Sequence, residues 1–241
     1  MPVQRFFIAH MQKTAGTSLR DRFRSCFPDS AIYPNGSDGR DRRLSVISVK
    51  HLLAQWDARG DEIRVLAGHF PLSVTELIDA DFVTMTVLRE PVDRTLSYLR
   101  HQKKINKADR DLSLEELYDD PFRFKGLIEN HMVRTLSLQP DEFLPADGVL
   151  AEVPYDEERL EMAKAGLRSL DAFGLQDRFE EFCTALSQRY VLDLGEPVRS
   201  NTTDDEPASA ALIERIRVDS ALDVQLYDYA VGLYEERSAA S

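Results

Sequence analysis

Apolar positions along the chain switch between continuous short runs and helical spacing, and the switches predict the order of elements. Residues 6–10, Phe-Phe-Ile-Ala-His, form an aromatic and β-branched run of the kind found in a buried strand. A small, polar stretch with Gly16 follows, and then Leu19, Phe23 and Cys26/Phe27 recur at helical spacing. The opening therefore reads as strand, tight loop, helix. Residues 28–43 read as loop, with Pro28, Pro34 and the run Asn35-Gly36-Ser37-Asp38-Gly39 before the basic positions Arg40, Arg42 and Arg43. A helix is predicted over 46–56, a second strand over 63–67 ending at Gly68-His69-Phe70-Pro71, and a short helix over 72–77. The clearest strand covers 82–88 and stops at Arg89-Glu90-Pro91. Proline suits a first helical turn, and Val92, Leu96 and Leu99 continue at i, i+4, i+7.

Beyond residue 110 the pattern is mostly helical, over 113–119, 123–136, 157–169, 179–190, 207–218 and 220–236, with one short strand at 173–175 and a loop at 201–205. No internal repeat or splitting linker interrupts it, so residues 1–241 are expected to form one domain. Strands alternating with helices predict an α/β domain with a mainly parallel central sheet and a helical C-terminal half.

Composition narrows the class. Hydrophobic residues at 43% supply a sizeable core, and no apolar stretch is long enough for a membrane span. The N-terminal run is too short for a signal peptide, and Cys26 and Cys183 are the two cysteines, so a reducing, cytoplasmic setting is expected. The net charge of −12 is uneven: residues 1–110 carry +5 and residues 111–241 carry −17. A globally acidic chain is a poor nonspecific binder of nucleic acid, whereas a basic half suggests a local anion site.

Two segments carry chemistry. Lys13-Thr14-Ala15-Gly16-Thr17-Ser18 lies between strand and helix, where small residues let backbone N–H groups approach an anion and the helix N-terminus adds partial positive charge. The alternative is a capped helix start, with Thr17 or Ser18 as the cap. The order is not that of the common nucleotide loop, because the lysine precedes the glycine. In the second segment, Arg89 ends a strand where α/β sheets bind ligands, and Ser97 follows two helical turns on. Such a pair can hold one phosphate by a guanidinium fork and a hydroxyl. The alternative pairs Arg89 with a carboxylate; Arg94 is expected to pair with Glu90 or Asp93.

Residues 8–19, around Lys13-Thr14-Ala15-Gly16-Thr17-Ser18, resemble the 5′-phosphosulfate loop of sulfotransferases that use 3′-phosphoadenosine 5′-phosphosulfate (PAPS). Residues 88–98, Leu-Arg-Glu-Pro-Val-Asp-Arg-Thr-Leu-Ser-Tyr, resemble their 3′-phosphate motif. The branch most similar includes heparan-sulfate and other carbohydrate sulfotransferases. The resemblance implies a three-layer, P-loop-like α/β fold, with Lys13, Thr14, Ala15, Gly16, Thr17 and Ser18 at the 5′ end of PAPS and Arg89 and Ser97 at its 3′-phosphate. Residues 130–136 resemble a helix of that branch that sets an Asn and an Arg, here Asn130 and Arg134, near the acceptor. Residues 174–179, Asn201-Thr202, Asp223 and Leu226-Tyr227 carry fainter likenesses.

The implied reaction is in-line sulfuryl transfer to an acceptor hydroxyl of a sugar, lipid or small metabolite. Lys13 would stabilise the leaving oxygen, and no metal is expected. Of five histidines, His69 is the expected general base, because it follows a strand at the ligand edge; the resemblance supports the same placement. A buried histidine bonded to a loop carbonyl is the alternative. His10 abuts the loop and is a candidate on the acceptor side, whereas His101 and His131 read as structural. Glu90 is a possible substitute base, and the run Arg100, Lys103, Lys104, Lys107, Arg110 reads as a solvated helix face. Two other functions remain open: a nucleotide-dependent kinase, and a non-catalytic nucleotide-binding protein on the same fold.

Overall fold

The structure is a computed structural model. It describes residues 4–39, 41–195 and 206–239, so Arg40, Asn201 and Thr202 lie outside the described residues.

In chain order the elements are β1 (Phe6–Ala9), α1 (Gly16–Cys26), β2 (Ile32–Tyr33), α2 (Arg42–Ile47), α3 (Val49–Arg59), β3 (Val65–Leu66), β4 (Val83–Leu88), α4 (Pro91–Ile105), α5 (Leu114–Tyr118), α6 (Pro121–Arg123), α7 (His131–Ser137), α8 (Pro140–Ala146), α9 (Glu157–Ser169), β5 (Ala172–Leu175), α10 (Phe179–Tyr190), α11 (Ala210–Asp219) and α12 (Ala221–Ala239). The five strands form one sheet in the order β2-β3-β1-β4-β5. Every pairing is parallel, with Phe6 opposite Val65 on one side and Val83 on the other.

Alternation along the central strand separates the two faces of the sheet. Phe6 and Ile8 pack with Leu19 and Phe23 of α1 and with Phe182 and Leu186 of α10. Phe7 and Ala9 pack with Val49 and Leu52 of α3, Phe70, and Phe143 of α8. Because both faces are covered, β1 is buried at every position and reads in sequence as a continuous apolar run. The result is the expected three-layer α/β arrangement. Arg22 ties α1 to α10 through a bond to Glu180 at 2.6 Å.

The helical half adds two further cores. Met132, Val133 and Leu136 of α7 meet Leu160, Ala163 and Leu167 of α9 and Leu226 and Ala230 of α12, beneath Leu88 and Phe173 of the sheet. Val92, Leu96 and Leu99 of α4 meet Leu114 and Leu117 of α5 and Leu212 and Ile216 of α11.

The structure departs from the predicted elements at four places. The loop predicted over 28–43 contains β2, a two-residue edge strand too short to impose a pattern. The helix predicted over 46–56 becomes α2 and α3, because Ser48 stops one helix and caps the next by accepting from the His51 N–H at 3.0 Å. The helix predicted over 123–136 breaks at Asn130, whose φ of 43° is left-handed. A π-turn, Phe124–Ile128, lies before that break. Helix α8 fills a stretch that carried no prediction. Among the described residues no helix is long and apolar enough to cross a membrane.

Candidate functional site

Three parallel strands deliver three candidate groups to one edge of the sheet. The chain leaves β1 into His10 and the loop to Gly16, leaves β3 into Gly68 and His69, and leaves β4 into Arg89. Parallel pairing puts the C-terminal ends of these strands side by side, which is where open α/β sheets place ligands.

The loop is held by backbone geometry rather than by a side-chain cap. Lys13 (φ 66°) and Ala15 (φ 72°) are both left-handed and flank Thr14. Thr14 is buried, and its hydroxyl donates to the Met11 carbonyl at 3.1 Å. Ala15 occupies the N-cap position of α1 without a side-chain bond, so neither Thr17 nor Ser18 acts as the cap that the sequence left open. The first helical bond runs from the Leu19 N–H to the Ala15 carbonyl at 3.0 Å. Residues 12–15 form a turn ahead of that bond. The first-turn amides of a helix have no partner within the helix, and beside such a turn they form an anion-binding concavity.

Gly16 closes this loop onto His10. A Cβ at Gly16 would stand 2.1 Å from His10 Cδ2 and 2.7 Å from its Nε2. Glycine is therefore required by the approach of the imidazole. His10 is itself buried, and its ring lies against that of His69, with centroids 4.5 Å apart.

His69 is fixed from both ends. Its backbone N–H donates to the Val46 carbonyl at 2.7 Å, and its Nδ1 lies 2.7 Å from the His10 carbonyl. A carbonyl only accepts, so Nδ1 carries the proton and Nε2 keeps its lone pair. This tautomer can receive a proton at Nε2. Burial pushes the His69 pKa below the ordinary histidine value, and the bond to His10 opposes that shift in part. The side chain is thus neutral near pH 7. The carbonyl bond offered as the alternative to a base role is the same bond that leaves Nε2 available.

Positive charge gathers across the loop. The Arg89 guanidinium donates from Nη1 to the Lys13 carbonyl at 3.3 Å, while its Nε is buried without a partner. Burial lowers the Lys13 pKa, and the nearby charges of Arg89 and Lys104 lower it further. His101 is depressed by burial and then by Lys13 and Lys104. Among the described residues no carboxylate pairs with Lys13 or Arg89; Glu90 instead caps α4, accepting from the Asp93 N–H at 2.7 Å. Burial lowers the Arg89 pKa, and the carboxylates of Asp93 and Glu90 oppose that shift without forming an ion pair with it, so Lys13 and Arg89 leave positive charge at the loop for an anionic ligand. Ser97 is buried in the second turn of α4.

Of the basic run on α4, Arg100 donates to the Glu206 carbonyl at 2.6 Å and Lys103 pairs with the Glu206 carboxylate at 2.9 Å. Those two side chains are occupied with Glu206, so the solvated face expected there is only partly present.

Asn130 and Arg134 are taken up inside the fold. The Asn130 Oδ1 accepts from the Leu222 and Asp223 N–H groups, both at 3.1 Å, and so caps α12. In return, buried Asp223 accepts from the Met132 and Val133 N–H groups at 3.1 and 2.8 Å, at the start of α7. Arg134 is 1% exposed, donates to the Glu129 carbonyl at 3.0 Å and lies over the Tyr155 ring. Asn130 and Asp223 thus hold α7 and α12 together, whereas Arg134 is bonded to the chain just before α7 and packed on Tyr155. Arg94 does not pair with Glu90 or Asp93 either. It is fully buried and donates to the Leu127 and Ile128 carbonyls at 3.1 and 3.0 Å.

Sequence reasoning set aside His131, yet it stands near this edge. It is 1% exposed with Nδ1 unpartnered, and its pKa is held well below the ordinary value by burial, then by Arg94 and Arg134, with smaller effects of His69 and His10. No periodicity could have revealed that proximity, because α7 reaches the edge through its packing on α9 and α12.

No known protein family matches the chain by its sequence profile. No curated protein matches it either. Among solved structures, the crystal structure of a sulfotransferase from Alicyclobacillus acidocaldarius is similar, with a TM-score of 0.51 and 17% identity, over 96% of this chain and 97% of that one. At that identity the likeness establishes the fold. The chain has a sulfotransferase-like, P-loop-like α/β fold with a parallel five-stranded sheet.

Proposed function

We propose that this protein is a sulfotransferase that moves a sulfuryl group from PAPS to the hydroxyl of a small-molecule or carbohydrate acceptor. One observation carries the reading: the loop with left-handed Lys13 and Ala15, at the start of α1, adjoins His10, whose carbonyl holds His69 Nδ1 as a donor and leaves Nε2 as a base. The fold likeness supports it, as does the basic charge of the half that holds both groups.

The residues present fit the donor. The amides from Lys13 to Ser18 and the Lys13 ammonium suit its 5′ end, with Thr14, Ala15 and Gly16 shaping the turn. Arg89, with its unpartnered buried Nε, and Ser97 suit the 3′-phosphate. When bound, PAPS supplies a sulfuryl group already activated by a phosphate leaving group.

The protein's own groups do the rest. His69 accepts at Nε2 the proton of the acceptor hydroxyl as that oxygen bonds to sulfur. The bond from sulfur to the phosphate oxygen breaks in line, and Lys13 and the loop amides stabilise the charge left on that oxygen. His10 keeps His69 in the productive tautomer through its carbonyl and lines the acceptor side with its ring. No step requires a metal.

The test is ligand stabilisation. The reading expects 3′-phosphoadenosine 5′-phosphate (PAP) to raise the melting temperature without magnesium, and ATP to do little. Stronger stabilisation by magnesium–ATP would favour a kinase and overturn it.

A further inference from the structure

Helix α4 carries a polar stripe to which the proposed reaction gives only Ser97 a role. At 3.6 residues per turn, Ser97, His101 and Lys104 fall within an arc of about 60°, and Lys103 lies roughly 100° further round. The neighbouring cations are turned elsewhere: Arg100 donates to the Glu206 carbonyl at 2.6 Å and Lys103 pairs with the Glu206 carboxylate at 2.9 Å. The far side of the helix is apolar, with Val92, Leu96 and Leu99 buried against α5 and α11. His101 is half-buried and Lys104 exposed, and among the described residues neither side chain has a hydrogen bond or an ion pair.

The stripe stands over the Lys13 side of the loop. Helix α4 begins beside that loop, where the Arg89 guanidinium donates to the Lys13 carbonyl at 3.3 Å. At 1.5 Å per residue, Lys104 lies about 10 Å beyond Ser97 along the helix axis. The Lys13 ammonium extends toward it. Lys104 is one of the charges that lower the Lys13 pKa, and after burial the charges that lower His101 are those of Lys13 and Lys104. Arg89 acts on Lys13 but is not among the charges acting on His101. The groups therefore sort in two: Arg89 with Ser97, and Lys13 with His101 and Lys104.

We infer that His101 and Lys104 form the outer wall of the donor site and hold an oxyanion at the donor's 5′ end. This rests on the sulfuryl-transfer reading and adds two residues to it. The 5′ end of PAPS carries two oxyanion groups in succession, the phosphate and the sulfuryl group. The start of α1 and the single Lys13 ammonium suit one of them. A second ammonium and an imidazole N–H, facing them from α4, suit the other. Cations that disfavour one another in the free chain gain most from an anion placed between them. The flexible four-carbon stem of Lys104 lets it close on such a group.

The experiment uses the full chain and reads binding by calorimetry, without acceptor, for PAPS, PAP and adenosine 3′-phosphate, which lacks the 5′ group. Lys104→Gln should weaken PAPS about tenfold, the lower end of the scale for a hydrogen bond to a charged group. Adenosine 3′-phosphate should stay within about twofold, as for a substitution away from its contacts, which also shows that the variant is folded. PAP then names the group held: a loss equal to that of PAPS places Lys104 on the 5′-phosphate, and a loss on PAPS alone places it on the sulfuryl group. His101→Leu should weaken PAPS about threefold to tenfold, and His101→Gln, which keeps an N–H donor, should restore most of that. Lys103→Gln removes the same charge one residue away and should change each affinity by no more than about twofold. Unchanged PAPS affinity in Lys104→Gln, an equal loss on all three ligands, or a loss as large in Lys103→Gln overturns the assignment. Failure of the wild-type chain to bind PAP or PAPS overturns the transferase reading beneath it, and the assignment with it.

Discussion

Gly16→Ala tests the geometry at the heart of the site, because two effects of known size oppose each other there. Gly16 begins α1 with ordinary helical geometry, so alanine would gain about 0.8–1.0 kcal/mol in helix propensity. Against that, its Cβ would lie 2.1 Å from Cδ2 and 2.8 Å from Cγ of the His10 ring. His10 is 7% exposed and packed against His69, so the ring has little room to withdraw. Overpacking of a buried site costs typically about 1–3 kcal/mol, and a contact this short belongs in the upper part of that range. Sterics win, and we expect a net destabilisation of about 1–2 kcal/mol, measured by urea unfolding. The effect on transfer should be larger, since a 1 Å displacement of a positioned group can cost about a hundredfold in rate. Here the displaced group is His10, whose carbonyl holds His69 Nδ1. In a double-mutant cycle, Gly16→Ala should be milder in a His10→Ala background, because the ring is gone. A Gly16→Ala variant as stable as the wild type and equally active would refute the close approach on which this reasoning depends.

Other outcomes follow from the same geometry. Ala15→Gly should keep or raise stability, since about 1–2 kcal/mol of left-handed strain at φ 72° is relieved against about 0.5–1 kcal/mol of glycine entropy; a clear loss in thermal unfolding would contradict this. Arg89→Ala should weaken PAP about tenfold to a hundredfold by calorimetry, the scale of a charged hydrogen bond, and unchanged affinity would remove Arg89 from the 3′-phosphate site. The acid limb of kcat/KM should have its midpoint below about 6.5, because the His69 pKa is lowered in the fold. The lowered His10, His69 and His131 mean that the unfolded chain binds more protons, so stability is full above about pH 6.5 and declines as pH falls below it; a flat profile from pH 7 to 5 would contradict that sign. Arg59→Ala should cost about 3–5 kcal/mol in chemical unfolding by leaving Asp38 buried and unpaired, and a loss under about 1 kcal/mol would show that the loop after β2 is not held by that pair.

Particular residues show how much of this was legible in sequence. Strands β1 and β4 were plain because both faces are covered and every position is apolar or nearly so. β2 was not, because two residues at an edge impose no period. Asn130 looked like one more helical position. Its left-handed turn exists because its amide oxygen is drawn to the start of α12, about ninety residues further on. The same limit applies to the site. The Lys13 loop and His69 stood out as motifs, since residue type and spacing carry them. The tautomer of His69 did not, because it is set by a carbonyl 59 residues away. By sequence Arg94 reads as an ion-pair partner of Glu90 or Asp93 and Arg134 as a residue near the acceptor, yet each is buried on backbone carbonyls and near Asp223. Charged residues carry no sequence mark of burial when their partners are main-chain groups distant in the chain. The uneven charge points to the same half as the motifs: the loop, Arg89 and His69 all lie within the segment of net +5.

The most direct test of the central claim is transfer of ³⁵S-labelled sulfate from PAPS by the wild-type chain and by His69→Ala, across a broad panel of hydroxyl acceptors. The account predicts label on at least one acceptor with the wild type, loss of transfer in His69→Ala, and PAP binding intact in both. Near-normal turnover in His69→Ala would contradict the assignment of the base, and absence of transfer from the wild type to every acceptor would contradict the function itself.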